Sequence, residues 1–91
     1  LRKNGMRNIA CEQEAFDQFN AWTIEDKKIY AKVVNLIGDI LRDPFKGLGK
    51  PEPLKYDLKG YWSRRITDEH RLVYKVTDEK ILIVSCKLHY K

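Results

Sequence analysis

From Gly60 onward, apolar and polar residues alternate, and two short acidic turns, Asp68-Glu69 and Asp78-Glu79, break the alternation. A period of two predicts three strands, over residues 60–67, 70–77 and 80–88. Connections this short make neighbouring strands antiparallel. Upstream the period is helical. Phe16, Phe19 and Trp22 recur at helical spacing over 12–22. Thr23 followed by Asp26 resembles a capping box, which starts a second helix at Thr23 and carries it to Arg42. Ile29, Val33, Ile37 and Ile40 form its apolar stripe, with Tyr30, Val34 and Leu41 beside it. Asp43-Pro44 ends that helix, because proline disfavours helical geometry in the residue before it. Residues 7–11 form a short first strand. The expected class is α+β, in the order β-α-α-β-β-β, an antiparallel sheet with two helices packed on one face.

The 91 residues make one small domain with one modest core. Residues 1–5, ahead of Met6, read as a flexible extension or cloning remnant, and 6–91 as the domain. A charged content of 34% against 43% hydrophobic residues suits a globular chain rather than a disordered one. No apolar run approaches the ~20 residues needed to cross a bilayer, and no signal peptide is visible, so a cytoplasmic location is expected. Cys11 and Cys86 fall in apolar runs and read as buried free thiols. Two Cys and two His, widely scattered, do not make a zinc pattern. The net charge of +5 lies wholly in residues 42–91, where twelve Lys/Arg face seven Asp/Glu. Such a half fits nucleic acid or an acidic protein partner, or else a solvated surface.

Strand parity sorts the residues that could carry chemistry. Arg71, Val73 and Lys75 share one face of their strand, opposite Leu72, Tyr74 and Val76. In the last strand Leu82, Val84, Cys86 and Leu88 are expected to face the helices, and Ser85, Lys87 and His89 to point away. Arg71 and His89 then share an open polar face, with Tyr61, Ser63 and Arg65 on the strand before. Arg64 falls coreward, an unusual place for a guanidinium, so it is expected near the sheet edge or the parity slips there. Glu52 stands in Pro51-Glu52-Pro53, where two rings restrict the backbone and lower the entropic cost of fixing a carboxylate. It reads either as a positioned general base or as an exposed glutamate in a rigid loop. Guanidiniums bind phosphate oxygens bidentately, so Arg71 and Arg65, with Lys50 and Lys55 nearby, read as phosphate ligands or as members of a salt-bridge ladder with Asp57, Asp68 and Glu69. His89 can return a proton, and Tyr90 can stack on a base. His70, with parity opposite to Arg71, reads as structural.

Several motifs occur together: Lys50-Pro51-Glu52-Pro53-Leu54-Lys55, Gly60-Tyr61-Trp62-Ser63-Arg64-Arg65-Ile66, Glu69-His70-Arg71-Leu72-Val73-Tyr74 and the terminal His89-Tyr90. In order and spacing, from Met6 to Tyr90, they resemble the YoeB toxins of the RelE superfamily. The resemblance implies a microbial RNase-like fold, cleavage of messenger RNA in the ribosomal A site without a metal or other cofactor, and inhibition by a YefM-like antitoxin. It places the general base on Glu52, the phosphate-binding arginines on Arg65 and Arg71, a further basic position on Lys55, and the C-terminal catalytic pair on His89 and Tyr90. Members commonly end at His-Tyr, whereas this chain adds Lys91.

The reading is a toxin of a type II toxin–antitoxin system that acts as a ribosome-dependent endoribonuclease. Catalysis falls to Glu52, Arg71, His89 and Tyr90, and RNA or phosphate binding to Lys55, Arg65 and Lys50. Its partners are the ribosome, messenger RNA and a YefM-like antitoxin. A homodimer is left open and no membrane is involved. Two rivals stand beside it. One is a non-catalytic module that blocks the ribosome by charge and stacking. The other is a subunit of a DNA-binding repressor, in which the antitoxin supplies the DNA-reading element, since no helix-turn-helix signal is present.

Overall fold

The computed structural model describes residues 7–88. The expected extension 1–5, with Met6, lies outside the described residues, as do His89, Tyr90 and Lys91. Along the chain come β1 (Asn8–Cys11), α1 (Gln13–Glu25), α2 (Lys27–Arg42), β2 (Glu52–Pro53), a 3-10 turn (Tyr56–Leu58), β3 (Tyr61–Arg65), β4 (Arg71–Val76) and β5 (Lys80–Ser85). The five strands form one sheet in the order β1-β5-β4-β3-β2. The α+β class and the element order are as expected, with two additions. β2 is an edge strand too short for a periodic signal. β1 pairs parallel to β5, so the sheet is mixed. The two helices that intervene between β1 and the rest of the sheet are what permit a parallel return.

The helix boundary falls at Asp26 rather than Thr23. The Asp26 carboxylate accepts hydrogen bonds from the Lys28 and Ile29 amides at 3.0 and 3.2 Å, which occupies two donors that α2 could not satisfy internally. Loss of such a cap typically costs ~1 kcal/mol. Thr23 stays within α1, where its hydroxyl donates to the Asn20 carbonyl. The buried stripe of α2 is Val33, Leu36 and Ile40, with Ile29, Tyr30, Ile37 and Leu41 partly buried against it. Leu36 was absent from the expected stripe, and Val34 is exposed. The core closes against Trp22, Ile66, Leu72, Tyr74, Ile81, Ile83 and Cys86 from α1 and the sheet. Cys86 is buried, and that burial pushes its thiol up to about 11. Cys11 is exposed, contrary to expectation, because its edge strand has a neighbour on one side only.

The parity of β5 also differs from expectation. Tyr74 pairs with Ile83 but Val73 pairs with Ser85, so Val84 is an extra residue in a bulge. Ile81 and Ile83 therefore face the helices, and Leu82 faces the other way. Beyond Ser85 the ladder ends. Lys87, expected on the open face, reaches the helix side, bonding Glu25 at 2.9 Å and lying 5.1 Å over the Trp22 ring. Leu88, expected against the helices, is largely exposed, with φ 66°. Strand parity consequently carries no information about His89.

Candidate active site

β3 and β4 keep the parity expected of them. Arg65 stands directly opposite Arg71, Ser63 opposite Val73, and Tyr61 opposite Lys75. β2 adds Glu52 opposite Ser63. Cross-strand partners share a face, as do residues two apart, so Glu52, Ser63, Arg65 and Arg71 lie on one side of the sheet, away from the helices. Strands ~4.8 Å apart and a two-residue step of ~6.8 Å put the Glu52 and Arg71 Cα atoms roughly 12 Å from each other. That span accommodates a phosphodiester between two long side chains. Ser63 and Val73, at the centre, are buried, whereas Glu52 and Arg65 at the rim are exposed. The Glu52 backbone is thus held in a ladder rather than in a free loop, and the Leu54 amide extends the pairing to the Tyr61 carbonyl at 2.9 Å.

Arg65 and Arg71 form a like-charge cross-strand pair, an arrangement that destabilises a sheet unless something anionic relieves it. Arg71 Nη1 donates to the backbone carbonyls of Thr67, Asp68 and His70, with the shortest bond 2.6 Å to Thr67. These carbonyls hold one corner of the guanidinium. Its Nε and Nη2 make no hydrogen bond to another described residue. Among the described residues Arg71 makes its side-chain hydrogen bonds to main-chain carbonyls and forms no ion pair, so the salt-bridge ladder is not what holds it.

The segment joining α2 to β2 is built around Arg64, which does point coreward and is fully buried. Its Nε donates to the Tyr74 hydroxyl, Nη1 to Asp39 and the Leu48 carbonyl, and Nη2 to the Asp43 and Lys46 carbonyls. All five of its N–H donors are used. Tyr74 in turn donates to the Pro44 carbonyl at 2.6 Å. The Asp39 carboxyl is held down to about 2, first by the Arg42 hydrogen bond, then by the Leu48 amide and Arg64. Arg42 is mostly solvent-exposed and so screened, which leaves buried Arg64 as the stronger structural partner. Close approach demands glycine here: a Cβ on Gly47 would fall 2.1 Å from Asp39 Oδ2. Gly49 passes the chain on through its carbonyl, which accepts from the Arg65 amide at 2.6 Å. The hub fixes the path that delivers Lys50 and then Glu52 to the sheet edge.

Lys50 and Lys55 are exposed on either side of Glu52. Lys50 and Arg65 also line a groove of about 610 Å³ whose other wall is α2, together with Lys28, Lys32, Leu36 and Leu48. Lys28 and Lys32 were missed in the sequence. Their four-residue spacing puts them on one helical face, but nothing in the chain's pattern tied that face to Lys50. Among the described residues no group of three or more His, Cys, Asp or Glu is placed to hold a metal ion, and no helix is long and apolar enough to cross a membrane.

Comparison with known proteins agrees with this architecture. A model of the YoeB-like toxin of the bacterial type II toxin–antitoxin system matches residues 11–90. Toxin YoeB of Escherichia coli K12 is 55% identical over 78 residues, covering 86% of this chain and 93% of that toxin. A YoeB dimer from Staphylococcus aureus superposes with a TM-score of 0.87 at 46% identity, covering 93% and 99% of the two chains. A YoeB–YefM complex from the same organism gives 0.84 at 46% identity over 92% and 98%. YafQ from E. coli, at 20% identity and a TM-score of 0.73, shares the fold. By sequence and by structure, the chain belongs to the family of YoeB-like toxins of bacterial type II toxin–antitoxin systems.

Proposed function

We propose that this toxin is a ribosome-dependent endoribonuclease that cuts messenger RNA in the A site and so halts translation. The observation that carries the reading is the face-to-face pairing of Arg65 with Arg71 on the side of the sheet that also presents Glu52. Two guanidiniums and a carboxylate around a buried floor suit a phosphodiester better than any neutral ligand. Glu52 takes the proton from the ribose 2′-hydroxyl, and the oxygen attacks the adjacent phosphorus in line. Arg71, Arg65 and Lys55 stabilise the charge that grows on the phosphoryl oxygens. Lys50 and the groove beside it hold neighbouring phosphates. His89 protonates the departing 5′-oxygen, and Tyr90 orients the base or assists departure. The first products are a 2′,3′-cyclic phosphate and a 5′-hydroxyl. No step calls for a cofactor.

The relatives' assemblies extend to this chain as part of the proposal. A YefM-like antitoxin inhibits the toxin by laying an acidic segment, disordered until bound, over the basic face. A homodimer is the expected resting assembly. DNA is contacted only through the antitoxin. The test is 5′-end mapping of message on translating ribosomes with purified wild type and Glu52→Gln. Cuts at a defined position within the A-site codon, absent with the variant, support the reading. Translation arrest without cleavage favours the non-catalytic module instead.

A further inference from the structure

His70 is buried and takes no part in the chemistry proposed above. Its ring meets Trp22 edge-on, 4.8 Å between centroids at 78°. Its Nδ1 accepts a hydrogen bond from the Leu88 amide at 2.8 Å. The Leu88 carbonyl, in turn, accepts from the Arg71 amide at 3.3 Å. Both polar groups of Leu88 are therefore held by two consecutive residues at the start of β4, and the next residue in the chain is His89.

Leu88 needs that hold. The β5 ladder ends at Ser85. The Leu88 side chain is 59% exposed, so packing does not fix it. Its φ of 66° is left-handed, a conformation that a non-glycine residue keeps only where the surroundings impose it. The segment after β5 is anchored by side chains that replace the lost ladder. Gln18 accepts from the Cys86 amide at 2.7 Å, Trp22 donates to the Cys86 carbonyl at 2.9 Å, and His70 takes the Leu88 amide.

We propose that His70 is a positioning residue, whose Nδ1 fixes the Leu88 peptide and with it the point from which His89 and Tyr90 reach the scissile phosphate. The inference rests on the nuclease reading for its functional consequence. The anchor ties both polar groups of Leu88, the residue before His89, to the dipeptide that carries Arg71. Small displacements of a reacting group can cost about a hundredfold in rate. For Nδ1 to accept, the imidazole must be neutral with its proton on Nε2.

The experiment compares wild type, His70→Leu and His70→Asn as full-length toxins on ribosomes programmed with a defined message. Asparagine can present Oδ1 near the position of Nδ1, whereas leucine has no acceptor. His70→Leu should lower kcat for cleavage roughly 10- to 100-fold with KM little changed, and His70→Asn should restore most of it. Nitrogen-15 spectra of wild type should show His70 as the Nε2–H tautomer, and the Leu88 amide should exchange slowly in wild type and His70→Asn. Equal loss of kcat in folded Leu and Asn variants, or an unchanged kcat in folded His70→Leu, overturns the proposal. So does an Nδ1–H tautomer in wild type. Should His70→Leu fail to fold, His70→Asn decides: a protected Leu88 amide with near-normal kcat supports the anchor, and an exchanging amide removes it. A wild-type toxin that cuts no message refutes the nuclease reading, while the tautomer and the Leu88 amide still report on the anchor by themselves.

Discussion

Replacing Arg64 should unfold the approach to the candidate active site before it touches the proposed chemistry. The guanidinium spends its five hydrogen bonds on one carboxylate, one hydroxyl and three main-chain carbonyls, all within a buried hub. Lysine can satisfy at most three acceptors from one nitrogen, so Arg64→Lys leaves two or more unmet. Buried polar groups without partners cost ~1–3 kcal/mol each, which gives roughly 2–6 kcal/mol for the lysine variant. Arg64→Ala breaks the buried ion pair with Asp39 outright, at ~3–5 kcal/mol, and loses the packing of the stem as well. A domain of this size holds ~5–15 kcal/mol in total, so either change removes a large share. At ~4–8 °C per kcal/mol, Arg64→Lys should lower Tm by about 8 °C or more, and Arg64→Ala by at least about 12 °C. Calorimetry gives Tm, and amide exchange locates the damage. The Leu48 amide, bonded to Asp39 Oδ2 at 2.8 Å, and the Arg65 amide, bonded to the Gly49 carbonyl, should lose protection first. An Arg64→Ala protein that melts within ~3 °C of wild type would refute the claim that this hub holds the segment.

Three further outcomes follow from the same geometry. Glu52→Gln and His89→Gln should each lose at least about a hundredfold in single-turnover cleavage. Glu52→Gln should also keep wild-type melting, because Glu52 is exposed and takes no part in the core, and either variant cutting at the wild-type rate defeats the assignment. Arg71→Lys keeps charge but not the planar fork, so cleavage should fall sharply while ribosome co-sedimentation persists, and equal activity would leave only generic charge. Asp39 titrates below its unfolded value, so its stabilisation is fully present above pH ~4 and is lost as pH falls through about 2. Asp39→Asn should therefore be less stable than wild type at neutral pH by denaturant unfolding, with the gap closing toward pH 2, and a gap independent of pH across that range would contradict the assignment.

What the sequence disclosed and what it hid divide along physical lines. The strands of the β3–β4 hairpin alternate without interruption, so their parity survived and put Arg65 and Arg71 on one face. β5 carries a bulge at Val84, which costs the polymer one unpaired residue and leaves no mark in an all-apolar run. The expected facing of Leu82 failed there, and that of Lys87 failed because the ladder ends at Ser85. β2 was hidden because two residues carry no period, yet it is what converts Glu52 from a loop residue into a sheet residue. The helix boundary was misplaced by three residues because Thr23 and Asp26 are both good caps, and only the tertiary structure decides between them. The roles proposed for His89 and Tyr90 rest on their chemistry and on the motif resemblance, and both residues lie outside the described ones.

Arg64 and Arg65 are adjacent in the chain and opposite in environment, and the contrast explains how so small a domain can carry a charged site. A strand sends successive side chains to opposite faces. Arg64 is buried and saturated, and its charge is balanced by Asp39, so it contributes rigidity and almost nothing to the external field. Arg65 is exposed opposite a second arginine, so its charge is available to a ligand. The like-charge cost on the outer face can be tolerated because the inner face, through the Arg64 hub, pins the same strand. Lysine scanning should therefore separate the two: Arg64→Lys loses stability first and activity only as a consequence, whereas Arg65→Lys loses activity with melting unchanged. If both substitutions moved Tm together, the two faces of β3 would not be independent, and the hub could not be said to support the site.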